Sequence, residues 1–243
     1  MYKPPQHESL ETGSDSVIQT NYPVCGLMSV AAVAFSITLY EVTMNSMTRL
    51  YLIRHGQVVG HEQRRYNGHA DVALTDLGVE QYHQLKDRLA DTRISACYSS
   101  DLTRCRIGAG IICEQFSIEP VHRSELREVN IGIWEGRTWQ EIKSRWPDAW
   151  QSRLDDLVHY RVPQGENLLD VHTRLMPVVH EILERHRGQE ILLVGHGGVN
   201  RIILLDVIGA PLANMFNIEQ SYGCLNIIDY YADGRATVKL LNG

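Results

Sequence analysis

From Thr48 onward, apolar and polar positions fall into blocks that alternate between a strand period and a helix period. The segment "LYLIRHG" (50–56) is apolar on both faces, as a strand covered on both sides of a sheet must be, and then ends abruptly in Arg54 and His55. "LTDLGVEQYHQLKDRLAD" reads as a helix with Thr75 as its N-cap and Asp76 in its first turn. "ISACYSS" (94–100) predicts a second strand, and "DLTRCRIGAGIICEQF" a helix with Asp101 at its start. "SIEPVHR" is a candidate third strand, and "TWQEIKSRW" a short helix stopped by Pro147. In "GENLLDVHTRLMPVVHEILERHRG" apolar residues recur at 168, 171, 175, 179 and 182, so one long amphipathic helix is expected, kinked at Pro177 and ended by Gly188. "EILLVGHGG" (190–198) predicts another strand, "VNRIILLDVIG" a helix, and "CLNIIDYYADGRATVKLLN" two strands around an Asp-Gly turn.

This alternation predicts an α/β domain over residues 48–243, with a mostly parallel central sheet and helices on both faces. Residues 1–47 form an N-terminal extension of different character. Residues 1–23 are polar, and "VCGLMSVAAVAFSITLY" (24–40) is uncharged but diluted by Gly, Ala, Ser and Thr. The extension reads as a translated upstream stretch ahead of a start at Met44 or Met47, a weak membrane anchor, or a tail that is disordered or packed on the domain.

Composition narrows the class. The 243 residues are 44% hydrophobic and 21% charged, which suits a soluble globular chain. A net charge of −6 without a long basic run argues against a nucleic-acid partner. No membrane partner is expected for the domain. The five cysteines match neither a zinc motif nor a dense disulfide framework, so reduced structural cysteines in the cytoplasm are expected.

The candidate chemistry lies at the strand ends. In an open α/β sheet, ligands bind beyond the carboxyl edge. Three predicted strands end there in Arg54-His55-Gly56, Ser99-Ser100-Asp101 and Gly195-His196-Gly197, and the second leads into Arg104. Two arginines and two histidines at one edge suit a tetrahedral dianion, because guanidinium forks match its oxygens in pairs and helix N-termini add donors. The arginines would repel a zinc ion, so no metal is expected. A neutral histidine there can attack phosphorus, provided an acid protonates the leaving alkoxide.

The motifs "LIRHGQ", "YSSDLTRC", "LREVNIGIWEGR" and "LVGHGG", in that order, resemble the histidine phosphatase superfamily, also called phosphoglycerate mutase-like. "RYNGHADVALTDLG" and "PQGENLLDVHTR" resemble its connecting segments. The resemblance implies that His55 is the nucleophile and that Arg54, Arg104 and His196 bind the phosphoryl group. It implies that Glu128 is the acid, that Asn67 and Gly68 lie at the pocket rim, and that Gly197 joins the phosphate site. It implies no cofactor. His61 falls where many relatives place an asparagine that touches phosphate. Trp134 and Trp139 could be core or pocket lining.

Departures from the pattern bear on the reaction. Gln57 and Val58 stand where an acidic and a hydroxyl residue are usual, so a phosphate donor is missing at Val58; Cys105 and Gly108 replace Ala and Thr. Val129, Asn130, Ile131 and Trp134 after the acid are not cationic, and the span from Arg54 to His196 is short for a mutase. The expectation is therefore a phosphomonoesterase acting on a small phosphorylated substrate. The compact phosphatase branch it resembles includes the α-ribazole phosphatases of cobalamin biosynthesis. A phosphoglycerate mutase and a non-catalytic phospho-ligand binding module are the alternatives. A homodimer stays open.

Overall fold

A computed structural model describes residues 47–243; the expectations for residues 1–46 lie outside the described residues. Strands β1 (Met47–Arg54), β2 (Ile94–Ser100), β3 (Val121–Arg123), β4 (Glu190–Gly195), β5 (Leu225–Tyr231) and β6 (Ala236–Leu240) form one sheet. Their order is β3-β2-β4-β1-β5-β6. The junctions β3-β2, β2-β4 and β4-β1 are parallel. β1-β5 and β5-β6 are antiparallel, so the sheet is mixed, with a parallel half that carries the three strand ends singled out above.

The apolar run of β1 follows from its central place. Leu50 and Leu52 point into one core, with Leu193, Val199, Ile203 and Leu175. Tyr51 and Ile53 point into the other, with Leu192, Val194, Tyr82 and Ile112. Each fully buried aliphatic side chain contributes roughly 1.5–3 kcal/mol. Helices α1 (Asp76–Arg88) and α2 (Thr103–Cys113) cover the second face; α5 (Leu168–Arg185) and α6 (Gly197–Val207) cover the first.

Two expectations need correction. Asp101 does not cap α2. Its carboxylate takes two hydrogen bonds from Arg127, at 2.7 and 2.6 Å, and Asp71 instead accepts from the Thr103 amide and hydroxyl at the helix start. Pro147 does not merely stop α3 (Trp139–Arg145). It opens a further helix, α4 (Pro147–Asp155), because the first helical turn has no use for the amide that proline lacks. As expected, one long amphipathic helix, α5, runs through Pro177; it starts with a reciprocal Asn167/Asp170 capping box and buries a stripe from Leu168 to Ile182. Among the described residues, no helix is long and apolar enough to cross a membrane.

Candidate active site

Arg54 ends β1, and His55 is the first residue past it. The His55 amide still bonds to the carbonyl of Gly195 at the end of β4 (3.0 Å), which fixes the nucleophile candidate against the "LVGHGG" motif. Gly56 then passes so close to α1 that a Cβ would stand 2.2 Å from the Gly78 carbonyl; only glycine allows this approach. The His55 ring is buried, and Nδ1 lies 2.8 Å from the Gly56 carbonyl. A carbonyl can only accept, so Nδ1 carries the proton and the Nε2 lone pair is left free. Burial, followed by the charges of Arg104 and Arg54, holds the His55 pKa well below its ordinary 6.5.

His196 follows β4 as the N-cap of α6 and is also buried. Its ring centroid is 5.2 Å from that of His55. Burial first, then Arg104, His55 and Arg54, push its pKa well below 6.5. Arg104, one residue into α2 and 1% exposed, donates Nε to His196 Nδ1 (3.3 Å). Its remaining nitrogens donate to the carbonyls of Ala70 (2.7 Å), Asn67 (3.1 Å) and Gly68 (2.8 Å). Arg54 donates to the carbonyl of Gln220 and lies 3.9 Å from the Tyr222 ring centroid, while its buried Nε has no partner. Among the described residues, no carboxylate forms an ion pair with Arg54 or Arg104. The buried guanidinium of Arg104 and the half-buried one of Arg54, held by neutral acceptors, keep their charge for an anion.

Glu128 comes from the segment after β3. One carboxylate oxygen accepts from its neighbour's amide, Val129 N (2.9 Å), and the other from Gly198 N at the start of α6 (2.9 Å). A Cβ on Gly198 would stand 2.4 Å from Glu128 Oε1, so the second glycine of "GHGG" makes room for the acid. The first makes room for Arg54: a Cβ on Gly197 would lie 3.2 Å from Arg54 Nε and from Arg201. Arg174 fixes the backbone beneath the acid by donating to the carbonyls of Glu125 and Glu128 (2.6 and 2.9 Å), and pairs with Glu166 at 2.7 Å.

Thus His55, Arg54, Arg104, His196, Glu128 and Gly197 are brought to one edge. Asn67 and Gly68 serve Arg104 through their carbonyls, and Gly68 is buried rather than at a rim. His61 is half-buried beside Tyr222, whose ring centroid is 6.4 Å from His61 and 5.6 Å from His55. Val58 is buried and bridges to Leu74, while the Gln57 side chain accepts from the Thr75 hydroxyl at the start of α1. Trp134 is core. Trp139 is 40% exposed, and both pack with Tyr66 and Trp150 in one aromatic cluster. Gly108 lies against the Tyr82 ring, whose hydroxyl donates to the Arg104 carbonyl (2.8 Å). Sequence reasoning missed Gln220 and Tyr222 against Arg54, and Arg174 under Glu128. Only Arg174 carried a signal, in "PQGENLLDVHTR". Among the described residues, no group of three or more His, Cys, Asp or Glu side chains could hold a metal ion.

Comparison with known proteins gives this geometry a context. The profile described as histidine phosphatase superfamily (branch 1) matches residues 50–243. A probable phosphoglycerate mutase GpmB of Erwinia tasmaniensis is 31% identical over 166 residues, which is 68% of this chain and 77% of that protein. The α-ribazole phosphatase from Shigella flexneri superposes with a TM-score of 0.75 at 28% identity, covering 80% of this chain and 96% of that one. A mycobacterial glucosyl-3-phosphoglycerate phosphatase solved with VO3 superposes with a TM-score of 0.73 at 25% identity, covering 80% and 99%.

Proposed function

Because the chain belongs to the histidine phosphatase superfamily, branch 1, we infer that it hydrolyses a small phosphomonoester through a phosphohistidine on His55. One observation carries this reading: His55 is held neutral, with Nδ1 tied to the Gly56 carbonyl and Nε2 free beside two unneutralised arginines. Nε2 attacks phosphorus in line, and the bond from phosphorus to the ester oxygen breaks. Arg54, Arg104 and the Nε2–H of His196 take up the charge that develops on the transferring group. Glu128, in its protonated form, gives its proton to the departing alkoxide. As carboxylate it then removes a proton from a water that attacks the phosphohistidine, releasing inorganic phosphate and restoring His55. The scheme uses no cofactor.

Two features favour hydrolysis over mutase chemistry. The residues after Glu128 are Val129 and Ile131, both buried, and Asn130, so this segment contributes no added cation to hold a bisphosphorylated intermediate. The span from Arg54 to His196 is also short for a mutase, and the similarity to the α-ribazole phosphatase of Shigella flexneri supports α-ribazole 5′-phosphate as the candidate substrate. The phosphoglycerate mutase named among the relatives is the second reading. The free buried Cys97, Cys105, Cys113 and Cys224 fit a cytoplasmic setting.

Acid quench of the enzyme with labelled substrate tests the mechanism. Acid-labile phosphate should appear on His55, and full activity in His55→Ala would sink the reading. A substrate panel that includes α-ribazole phosphate and 3-phosphoglycerate separates the alternatives. Transfer between 3- and 2-phosphoglycerate stimulated by a bisphosphate would replace phosphatase with mutase.

A further inference from the structure

The turn at residues 67–70 has two charged neighbours, one on each side. On one side Glu135, from the segment "IWEG", accepts four backbone amides. Oε1 takes His69 N (2.8 Å) and Ile131 N (3.2 Å), and Oε2 takes Gly68 N (3.1 Å) and Ala70 N (3.2 Å). Three successive N–H groups converging on one carboxylate make an anion-binding nest, here filled by the protein itself. Among the described residues Glu135 has no ion-pair partner. On the other side, the carbonyls of Asn67, Gly68 and Ala70 receive the Arg104 guanidinium.

Two of these peptide groups face both ways. The group joining Asn67 to Gly68 gives its N–H to Glu135 and its carbonyl to Arg104. The group joining Gly68 to His69 does the same. Each peptide dipole thus has its positive end on the carboxylate and its negative end on the guanidinium. Gly68 is required for this arrangement, because a Cβ there would stand 2.4 Å from Glu135 Oε1 and 2.2 Å from the Val129 carbonyl.

We propose that Glu135 is a positioning residue which fixes the fork of Arg104 through the two peptide groups that flank Gly68. The inference rests on the reading of Arg104 as a phosphate ligand. A direct carboxylate partner would hold Arg104 just as firmly, but it would neutralise the charge that an anionic substrate needs. Placing neutral peptide groups between carboxylate and guanidinium holds the fork while leaving its charge available.

The experiment compares Glu135→Ala, Glu135→Gln, Arg104→Ala and the Glu135→Ala/Arg104→Ala double variant. The readouts are turnover of p-nitrophenyl phosphate, affinity for inorganic phosphate and the melting curve. Because a misplacement of about 1 Å can cost on the order of 10²-fold, Glu135→Ala should lower kcat/KM by roughly that factor and weaken phosphate binding in molecules shown to be folded. Glu135→Gln should lose less, since one oxygen still accepts two amides. In the Arg104→Ala background, removing Glu135 should change little further. Folded Glu135→Ala protein with wild-type phosphate affinity, or losses that multiply fully in the double variant, would overturn the proposal. If Glu135→Ala does not fold, Glu135→Gln decides: wild-type kcat/KM and phosphate affinity in that variant overturn it. Arg104→Ala protein that binds phosphate normally would instead overturn the phosphate-ligand reading on which it rests.

Discussion

Nε of Arg104 points at Nδ1 of His196 across 3.3 Å, so the arginine fixes which imidazole nitrogen keeps the proton. An arginine can only donate, so Nδ1 accepts and Nε2 carries the hydrogen. Arg104→Lys removes the planar fork and this lock together. Its kcat/KM should fall by about 10²-fold, and long-range nitrogen-15 spectra should show His196 losing its single tautomer. A lysine variant with wild-type kcat/KM would show that the fork is not needed.

The low pKa values of His55 and His196 predict which histidines stay neutral in acid. These two should remain unprotonated well below 6.5. The acid limb of kcat/KM should therefore lie below 6.5 and move upward when Arg104 is replaced, since one cation that disfavours protonation is lost. A His55 resonance that titrates at 6.5 or above in the wild type would contradict this.

The same shifts govern stability against pH. Above about 6.5 both histidines are neutral whether the chain is folded or not, and they add no pH dependence. Below it the unfolded chain takes up protons that the folded one refuses, so stability falls as pH falls. Each group costs roughly 1.4 kcal/mol per pH unit until its folded pKa is reached. Urea midpoints at pH 7 and pH 5.5 measure this, and His55→Ala should reduce the slope by about one group's share.

Replacing Glu128 by Gln should slow alkyl phosphates far more than nitrophenyl phosphate. A nitrophenolate leaves without help, whereas an alkoxide needs the proton. Affinity for inorganic phosphate should change little. Equal slowing of both substrates would remove Glu128 from the acid role.

Gly108 in α2 leaves room for the Tyr82 ring, which a Cβ would meet at 1.8 Å. Gly108→Ala should therefore cost about 2 kcal/mol or more and disturb the Tyr82 bond to the Arg104 carbonyl. Adding Tyr82→Leu should recover part of the stability in urea titration. A stable Gly108→Ala variant would refute the packing argument.

The strand-end residues were legible because each interrupts an apolar run whose burial the sheet explains: Arg54 after Ile53, His196 after Val194-Gly195. Their common location followed from strand direction alone. Glu135 was not legible in the same way, because all four of its partners are backbone amides, which no residue type reports. Gln220 holds Arg54 through a carbonyl for the same reason. Helix α4 was hidden because proline stops a helix and also starts one, and only the surrounding packing distinguishes the two. The antiparallel half of the sheet was half visible. The hairpin of β5 and β6 could be read from its Asp-Gly turn, whereas the pairing of β5 with β1 joins residues far apart in sequence.

That Arg54 and Arg104 have no carboxylate partner among the described residues also has a kinetic meaning. On a chain of net charge −6, an unscreened positive recess acts as a local funnel, and encounter with an anion should be fast at low ionic strength and slower as salt rises. The same field greets the product. Inorganic phosphate carries nearly the same charge as the group it came from, so the recess that hastens capture also delays departure. Added salt should therefore speed the departure of phosphate while it slows the first encounter.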